Sequence, residues 1–452
     1  MTKDLTVGNP FKVILLMSLP IMAGNFFQQF YSIVDMIIVG RLLGSNSLAA
    51  VGSSTSIYYL VMWFVCSSAG GFAIVLAQYF GAGDMENLRK GVCTALELSI
   101  TITLGISVVC LIFLKGFLRI MNTPEEIFAE AYSYIFVIIA GMLCTMLYNI
   151  AAAILRAMGD SKTPLYFLIF SSFLNIFLDI VCIKYLNMGV RGAAVATIFS
   201  QGLSALLSLA FMYMHFKEVR VKRTDWKFDT ERACKMLYYG IPAGFCGVLT
   251  AIGILILQFA INCYGTTVIA GYTAAIKVQN FTDITVAAYS TTMVNFIGQN
   301  VGAGKYDNAR KGYRCCIALG VVTDLVCGAL LFVFGGALSS LFVTGDGAAG
   351  VIDFAARYLR YTGIVYAVYP VLLGTRSALQ GLGDSAAPVI SGLVESAFRA
   401  LWVVYLVRNY NITLLCLVNP TVWIITAIAM VLIYEYRWKR INSQASQLGG
   451  KV

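Results

Sequence analysis

The sequence of 452 residues is 59% hydrophobic and only 12% charged, with a mean hydropathy of +0.80. A soluble domain carries about 25% charged residues, so this composition excludes a water-covered globular protein. The net charge of +10 could indicate a nucleic-acid-binding protein, but most of the positive charge falls in short segments between long apolar runs, as in membrane proteins.

Twelve apolar runs follow one another along the chain. Each is long enough to cross about 30 Å of hydrocarbon, which takes about 20 helical residues. The runs are continuous rather than alternating, which favours helices over a β-barrel. We therefore predict an all-α integral membrane protein. Its predicted spans cover residues 11–40, 47–80, 91–114, 126–155, 164–186, 189–216, 233–264, 267–300, 312–334, 351–379, 388–408 and 411–436.

The distribution of lysine and arginine predicts the orientation of these spans. The side that holds the N-terminus, the basic stretch from Lys217 to Arg232 and the basic tail is much richer in positive charge. Positively charged loops stay in the cytoplasm, so we expect a bacterial-type inner membrane protein with both termini inside. We divide the chain into an N-terminal lobe (1–216), a basic cytoplasmic linker (217–232), a C-terminal lobe (233–440) and a cytoplasmic tail (441–452).

The second half of the chain repeats the first. Residues 78–91 match residues 299–312 at eight of fourteen positions. Two shorter pairs agree in order and spacing, namely 159–164 with 383–388 and 19–20 with 241–242. Six spans separate the members of each pair, so the sequence predicts two parallel six-helix lobes related by an axis along the membrane normal.

Each long repeat contains a Gly-Ala-Gly loop, at Gly81–Gly83 and Gly302–Gly304. No predicted strand precedes either loop and no Gly-Lys-Ser/Thr follows, which excludes a phosphate-binding loop. We expect tight turns that end a helix, with a glycine at positive φ.

Charged residues inside the spans are the candidate functional residues, because an ionised side chain at the bilayer centre costs about 3 kcal/mol. A rise of about 1.5 Å per helical residue predicts that Asp35 and Asp179 lie at a similar depth in the outer half of the membrane, together with Asn175 and Thr197. Two neighbouring carboxylates cannot both ionise cheaply, so they should share a proton or bind Na⁺. Pro20 removes a helix hydrogen bond and is a candidate conformational hinge in the first span.

The chain resembles the multidrug and toxic compound extrusion (MATE) transporters. The resemblance covers nearly the whole chain and rests on the six-plus-six spans, the paired loops, Pro20, and Asp35 within residues 31–40. It implies a V-shaped pair of lobes and efflux driven by H⁺ or Na⁺.

The resemblance also assigns a set of coupling-ion ligands. The positions that match family residues are Asp35, Asn149, Asn175, Asp179 and Thr197. Our span boundaries place Asn149 nearer the cytoplasm than the others.

The C-terminal lobe has no copy of the two N-terminal acids. Glu395 and Arg399 are four residues apart on one helix and are predicted to form a structural pair. Lys277 is expected to pair with Asp283 or Asp324 from a neighbouring helix. A substrate cavity is predicted to include Gln28, Tyr31, Lys277, Asp283 and Asp324.

We therefore predict a secondary antiporter that exports small cationic or amphiphilic organic compounds in exchange for H⁺ or Na⁺ by alternating access. The alternative is a lipid-linked oligosaccharide flippase of the same superfamily, which should carry more basic residues inside its spans. An intramembrane enzyme is not expected, since the sequence has no nucleophile or zinc motif and a single histidine. We expect a monomer that contacts membrane lipids and a small-molecule substrate, without nucleic acid and without a cofactor beyond the coupling ion.

Overall fold

The computed structural model describes residues 4–121, 123–216, 219–227, 229–343 and 347–447, and these residues fold into helices. Lys217, at the start of the predicted linker, and residues 448–452 of the predicted tail lie outside the described residues. The helices of the first half are α1 (Pro10–Leu43), α2 (Ser45–Gly81), α3 (Met85–Ile120), α4 (Glu125–Ala140), α5 (Met142–Ala157), α6 (Lys162–Ile180) and α7 (Val190–His215). Those of the second half are α8 (Thr230–Asn262), α9 (Thr266–Gly302), α10 (Tyr306–Ser340), α11 (Ala348–Val365), α12 (Tyr369–Gly381), α13 (Ala386–Asn409), α14 (Ile412–Cys416) and α15 (Val418–Gln447).

These helices account for the twelve predicted spans. Helices α4 and α5 form the fourth span and meet at a bend of 44°. Helices α11 and α12 form the tenth span, with the 3₁₀ turn Tyr366–Val368 between them, and α14 and α15 form the twelfth. Most helix ends lie close to the predicted ends, but α3 and α10 extend six residues further at both ends and α15 continues to Gln447, because these helices run past the apolar run into the flanking segments.

Among the described residues, nine helices are long and apolar enough to cross a membrane, and the bent pair α4–α5 makes a tenth. The two predicted spans that fall short are α9 and the pair α11–α12. Helix α9 contains Lys277, Asp283 and many threonines, and α11 contains three charged residues. Their low hydropathy therefore marks a concentration of polar groups in the second half.

The chain forms two compact units. Unit 1 comprises residues 4 and 23–244 and unit 2 comprises residues 5–22 and 245–447, counting the described residues only. The chain therefore passes from unit 2 to unit 1 within α1, after Met22, and from unit 1 to unit 2 within α8, after Gly244. The division predicted from the sequence, at residues 216 and 233, differs because it assigned each of these helices to one lobe.

Packing explains why the start of α1 belongs to unit 2. Ile14, Met17 and Ile21 of α1 are buried in the same apolar cluster as Met430 and Tyr434 of α15. Burying such side chains contributes about 1.5–3 kcal/mol each, so the first turns of α1 are firmly part of unit 2.

The start of α8 is held in unit 1 by a close contact with α2. A Cβ atom on Gly71 would lie only 2.5 Å from the Cα of Gly240. This approach is possible only between two glycines, so it fixes where α8 crosses α2.

The repeated loops have the predicted turn geometry. Gly83 has φ of 71° and Gly304 has φ of 70°. In both loops the residue after the glycine donates its backbone N–H to the fifth carbonyl before it, Asp84 to Tyr79 and Lys305 to Asn300. Both are helix C-terminal turns of the Schellman type, as expected for glycine at that position.

The Gly-Asp-Ser loops start the next helix in both halves. Asp160 Oδ1 accepts hydrogen bonds from the backbone N–H of Lys162 and Thr163, at 3.0 and 3.1 Å. Asp384 Oδ1 accepts from Ala386 and Ala387 in the same way, at 3.0 and 3.2 Å. The repeated Gly-Asp-Ser-x-x-Pro motif therefore forms the same helix cap in both halves of the chain.

Each long repeat also anchors the segment that precedes α1 or α8. In unit 1, Arg89 donates two hydrogen bonds to Asp225 of the linker, at 2.6 and 3.2 Å, which holds the pKa of Asp225 below its ordinary value. In unit 2, Lys305 donates to the backbone and hydroxyl oxygens of Thr6, and Gln299 accepts from the N–H of Leu5.

Candidate functional site

The two acids predicted to act together in the first half do meet. Asp35 of α1 and Asp179 of α6 lie near each other and interact electrostatically. Asp179 is 0% exposed, and neither of its oxygens has a hydrogen-bond partner among the described residues. Two neighbouring buried carboxyl groups cannot both ionise cheaply, so this arrangement suits a pair with one net negative charge.

Asn175 and Thr197 lie beside this pair. Asn175 is buried one turn before Asp179 on α6, and its Nδ2 donates to the hydroxyl of Thr197 on α7 at 3.3 Å. The amide oxygen Oδ1 of Asn175 has no donor, and Oδ1 of Asp35 has none either. Four predicted residues thus provide several buried oxygen atoms without partners.

Tyrosines border the carboxyl pair. Tyr31, one turn before Asp35 on α1, lies near that carboxyl and within hydrogen-bonding reach of Gln201 on α7. Tyr134 of α4 lies near both Asp35 and Asp179. Tyr31, which was predicted to line a substrate cavity, therefore belongs with the acids. Gln201 and Tyr134 were missed, because nothing in the sequence distinguishes them from other polar residues on α4 and α7.

The structure does not bring the remaining predicted N-terminal residues to the pair. Asn149 donates from Nδ2 to the carbonyl of Thr145 in its own helix, and no described hydrogen bond links it to the acids. Gln28 is exposed. Pro20 lies within α1, two residues before the chain passes from unit 2 to unit 1.

This oxygen-rich group can do one of two things chemically. A proton can sit between the two carboxyls, or a hard cation such as Na⁺ can take their oxygens together with the amide oxygen and the hydroxyl. The described residues contain no group of three or more His, Cys, Asp or Glu side chains of the kind that holds a transition metal.

Unit 2 contains a buried ion-pair group that the sequence revealed only in part. Glu395 and Arg399 form the predicted pair, at 3.5 Å. Arg376 of α12 also contacts Glu395 at 3.5 Å and was missed, because it lies three residues before the predicted end of its span. Arg399 Nε donates to Asn419, and its Nη1 has no hydrogen-bond partner among the described residues. Two guanidinium groups thus share one carboxylate.

Two acids that lie within predicted spans of unit 2 are near each other. Asp283 of α9 and Asp324 of α10 interact electrostatically. Among the described residues, neither forms an ion pair, and the expected pairing with Lys277 is not found. Lys277 is exposed, and its Nζ lies 5.7 Å from the centre of the Phe342 ring.

Comparison with known proteins agrees with the architecture. The family model described as MatE matches residues 20–181 and 242–406. The chain belongs to the MATE family. The two matches begin at Pro20 and Pro242, so the MATE model recognises each half separately and at the spacing of the internal repeat.

The similar proteins are bacterial transporters and solved MATE structures. The chain is 29% identical to the probable multidrug resistance protein YpnP of Bacillus subtilis, over 88% of each chain. It is 27% identical to the probable multidrug resistance protein YoeA of the same organism, over 93% of this chain and 92% of that one. A crystal structure of MATE in complex with MaL6 superposes with a TM-score of 0.91 at 23% identity, covering 98% of this chain and 100% of that one. The chain thus has the MATE fold of helices in two lobes and is a multi-pass membrane transporter.

Proposed function

We propose that this protein is a secondary antiporter that exports small organic compounds in exchange for H⁺ or Na⁺ by alternating access. The observation that carries the proposal is the proximity of Asp35 to Asp179, a fully buried carboxyl whose two oxygens have no hydrogen-bond partner among the described residues. Such a pair is unstable without a proton or a cation, so its loading state can drive a conformational change.

Alternating access requires that cation loading changes how α1 packs. Asp35 lies on the part of α1 in unit 1, whereas the start of α1 is buried in unit 2. Pro20 lies near the crossing and lacks the N–H that a helix needs at that point, so it supplies a flexible position. Loading of the pair would straighten or bend α1 about Pro20 and release the exported compound.

The class of exported compound is inferred from similar proteins and from charge. YpnP and YoeA are both named as probable multidrug resistance proteins, which supports drug export and does not favour a flippase. Asp283 in unit 2 is half-buried and forms no ion pair among the described residues, which favours cationic or amphiphilic compounds. We further propose that the protein lies in the inner membrane with both termini in the cytoplasm, as the basic loops indicate.

Reconstitution in proteoliposomes tests the proposal. Efflux of a fluorescent cationic dye would be measured with a pH gradient alone and with a Na⁺ gradient alone. We expect one of the two gradients to drive accumulation in the wild type, and Asp35→Asn and Asp179→Asn to abolish it. Asp353→Asn is a matched control, since Asp353 is an exposed acid paired only with Arg357. Full gradient-driven efflux in both site variants would refute the assignment.

A further inference from the structure

Asp324, which is buried, and Asp283, which is half-buried, form no ion pair among the described residues of unit 2. Asp324 is 0% exposed, and its Oδ2 has no donor among the described residues. Gln279, which is 5% exposed, points its amide nitrogen at Asp283 Oδ2 at 3.5 Å, and its own Oε1 has no donor. A buried acceptor without a donor is costly. When both acids are ionised, their carboxyl groups have no hydrogen to donate, so the group has too few hydrogens for its contacts.

Counting hydrogens around Asp283 shows where one is missing. The Tyr366 hydroxyl contacts Asp283 Oδ1, the Thr282 hydroxyl lies 2.6 Å from the Tyr366 hydroxyl, and Thr282 also lies 2.8 Å from the carbonyl of Gln279. Three contacts connect oxygen atoms, but with an ionised Asp283 only two hydroxyl hydrogens are available for them. A proton on Asp283 supplies the third, because each oxygen can then donate to the next along the series.

The same count applies to Asp324. The Thr285 hydroxyl lies 2.8 Å from the carbonyl of Thr282 and 2.9 Å from Asp324 Oδ1. Its single hydrogen cannot fully serve both acceptors. If Asp324 is protonated, it donates to Thr285, and Thr285 donates to the helix carbonyl in the usual manner of a helical threonine. Each acid thus makes more complete hydrogen bonds in its neutral form than in its ionised form.

The two acids differ in how easily they can lose that proton. Asp324 is 0% exposed, and among the described residues its ionised carboxylate would keep only the Thr285 hydroxyl as a donor. Asp283 is only half-buried, and after ionisation it would keep two donors, Tyr366 and Gln279. Asp283 is thus the acid that can release a proton, and Asp324 is the one that keeps it.

The surroundings of Asp283 also favour a reversible negative charge. Arg376, Glu395 and Arg399 together carry one excess positive charge, and Tyr369 lies near these three groups and near Asp283. An ionised Asp283 would balance that excess while Asp324 stays neutral. The other titratable side chains that interact with the two acids are Tyr289, Cys327, Tyr366 and Tyr369.

We propose that Asp283 is a second proton-exchange site, which takes up and releases one proton in each transport cycle while Asp324 remains protonated. The exchanged proton passes between the Asp283 carboxyl and water, and no bond other than O–H forms or breaks. The site deepens the proposed antiport, on which its transport readout rests, because each unit would then carry its own exchangeable site.

A measurement of coupling ratio tests the transport role. Proteoliposomes containing the full chain would be held at zero membrane potential with valinomycin and equal K⁺, and ethidium accumulation would be measured against imposed pH differences. Each coupled proton adds about tenfold to the accumulation ratio per unit of pH difference. We expect Asp283→Asn to lower that ratio about tenfold per unit relative to the wild type, and Asp353→Asn, which removes an exposed acid paired with Arg357, to leave it unchanged. An unchanged ratio in Asp283→Asn, or an equal loss in Asp353→Asn, would overturn the proposal.

A spectroscopic measurement separates this proposal from the antiport itself. Infrared difference spectra of the purified chain, in an Asp35→Asn/Asp179→Asn background, detect protonated carboxyl groups without any transport. We expect two such bands at neutral pH, one missing in Asp283→Asn and the other in Asp324→Asn, with only the Asp283 band lost as pH rises. If the wild type fails to transport but these bands behave as expected, the antiport fails and the proton site stands. Absence of the Asp283 band at neutral pH would refute the site.

Discussion

The pair formed by Asp35 and Asp179 should behave as one titrating group, and this can be tested by combining substitutions. Two unit charges about 4 Å apart repel by about 4 kcal/mol at an effective dielectric constant of about 20. That energy corresponds to about a thousandfold in an equilibrium constant, so the doubly ionised state is negligible without a bound cation. One proton or one cation is then shared, and removal of either carboxyl removes the whole exchangeable site.

The expected result is strong non-additivity. Asp35→Asn, Asp179→Asn and the double variant should all lose gradient-driven accumulation to the same extent, because the second substitution has nothing left to remove. Asparagine keeps the size of the side chain, so expression and the unfolding temperature in detergent should change little. The assay is dye accumulation in proteoliposomes under the gradient that drives the wild type, normalised to the amount of reconstituted protein.

Two results would contradict this reasoning. If the double variant lost much more activity than either single variant, the two acids would act separately. If Asp179→Asn retained wild-type accumulation while Asp35→Asn lost it, Asp179 would only position Asp35. The exposed acid Asp353 again provides the control, since its substitution removes a carboxylate without touching the pair.

The remaining predictions concern stability and are measured by thermal unfolding in detergent. Asp225→Asn breaks the ion pair between α3 and the linker and should cost about 1 kcal/mol of stability at neutral pH. Because folding lowers the pKa of Asp225, this difference should disappear as pH falls through the carboxyl range. The control Glu86→Gln removes an exposed ion pair and should cost less. Gly71→Ala places a Cβ 2.5 Å from the backbone of α8 and should sharply reduce the folded yield, whereas Gly70→Ala meets nothing within 4 Å and should be tolerated. Glu395→Gln leaves the buried Arg399 and the partly exposed Arg376 without their acid and should destabilise the fold by about 3 kcal/mol. An unchanged unfolding temperature would show that these arginines are solvated.

Local patterns in the sequence determined the helices, their order and the duplication. Apolar runs identify spans because backbone groups in lipid must bond within a helix, and this holds whatever the neighbouring helices are. The turns at Gly83 and Gly304 were predicted from their glycines. The helix caps at Asp160 and Asp384 are equally local, since each joins residues only two or three positions apart. Counting residues along each span likewise predicted that Asp35 and Asp179 lie at a similar depth in the membrane.

Contacts between distant segments were decided only by the tertiary structure. The sequence assigned each helix to one lobe, but α1 and α8 each belong to two units, because the apolar faces of their first turns find partners far along the chain. The sequence also showed mid-span charges without showing their partners. Which helix faces another depends on the rotation of each helix about its axis and on close packing. A helix that is apolar on all sides has no hydrophobic period of about 3.6 residues from which that rotation could be predicted. For that reason Arg376, Tyr366 and the hydrogen-bonded surroundings of Asp283 became visible only once the helices were packed together.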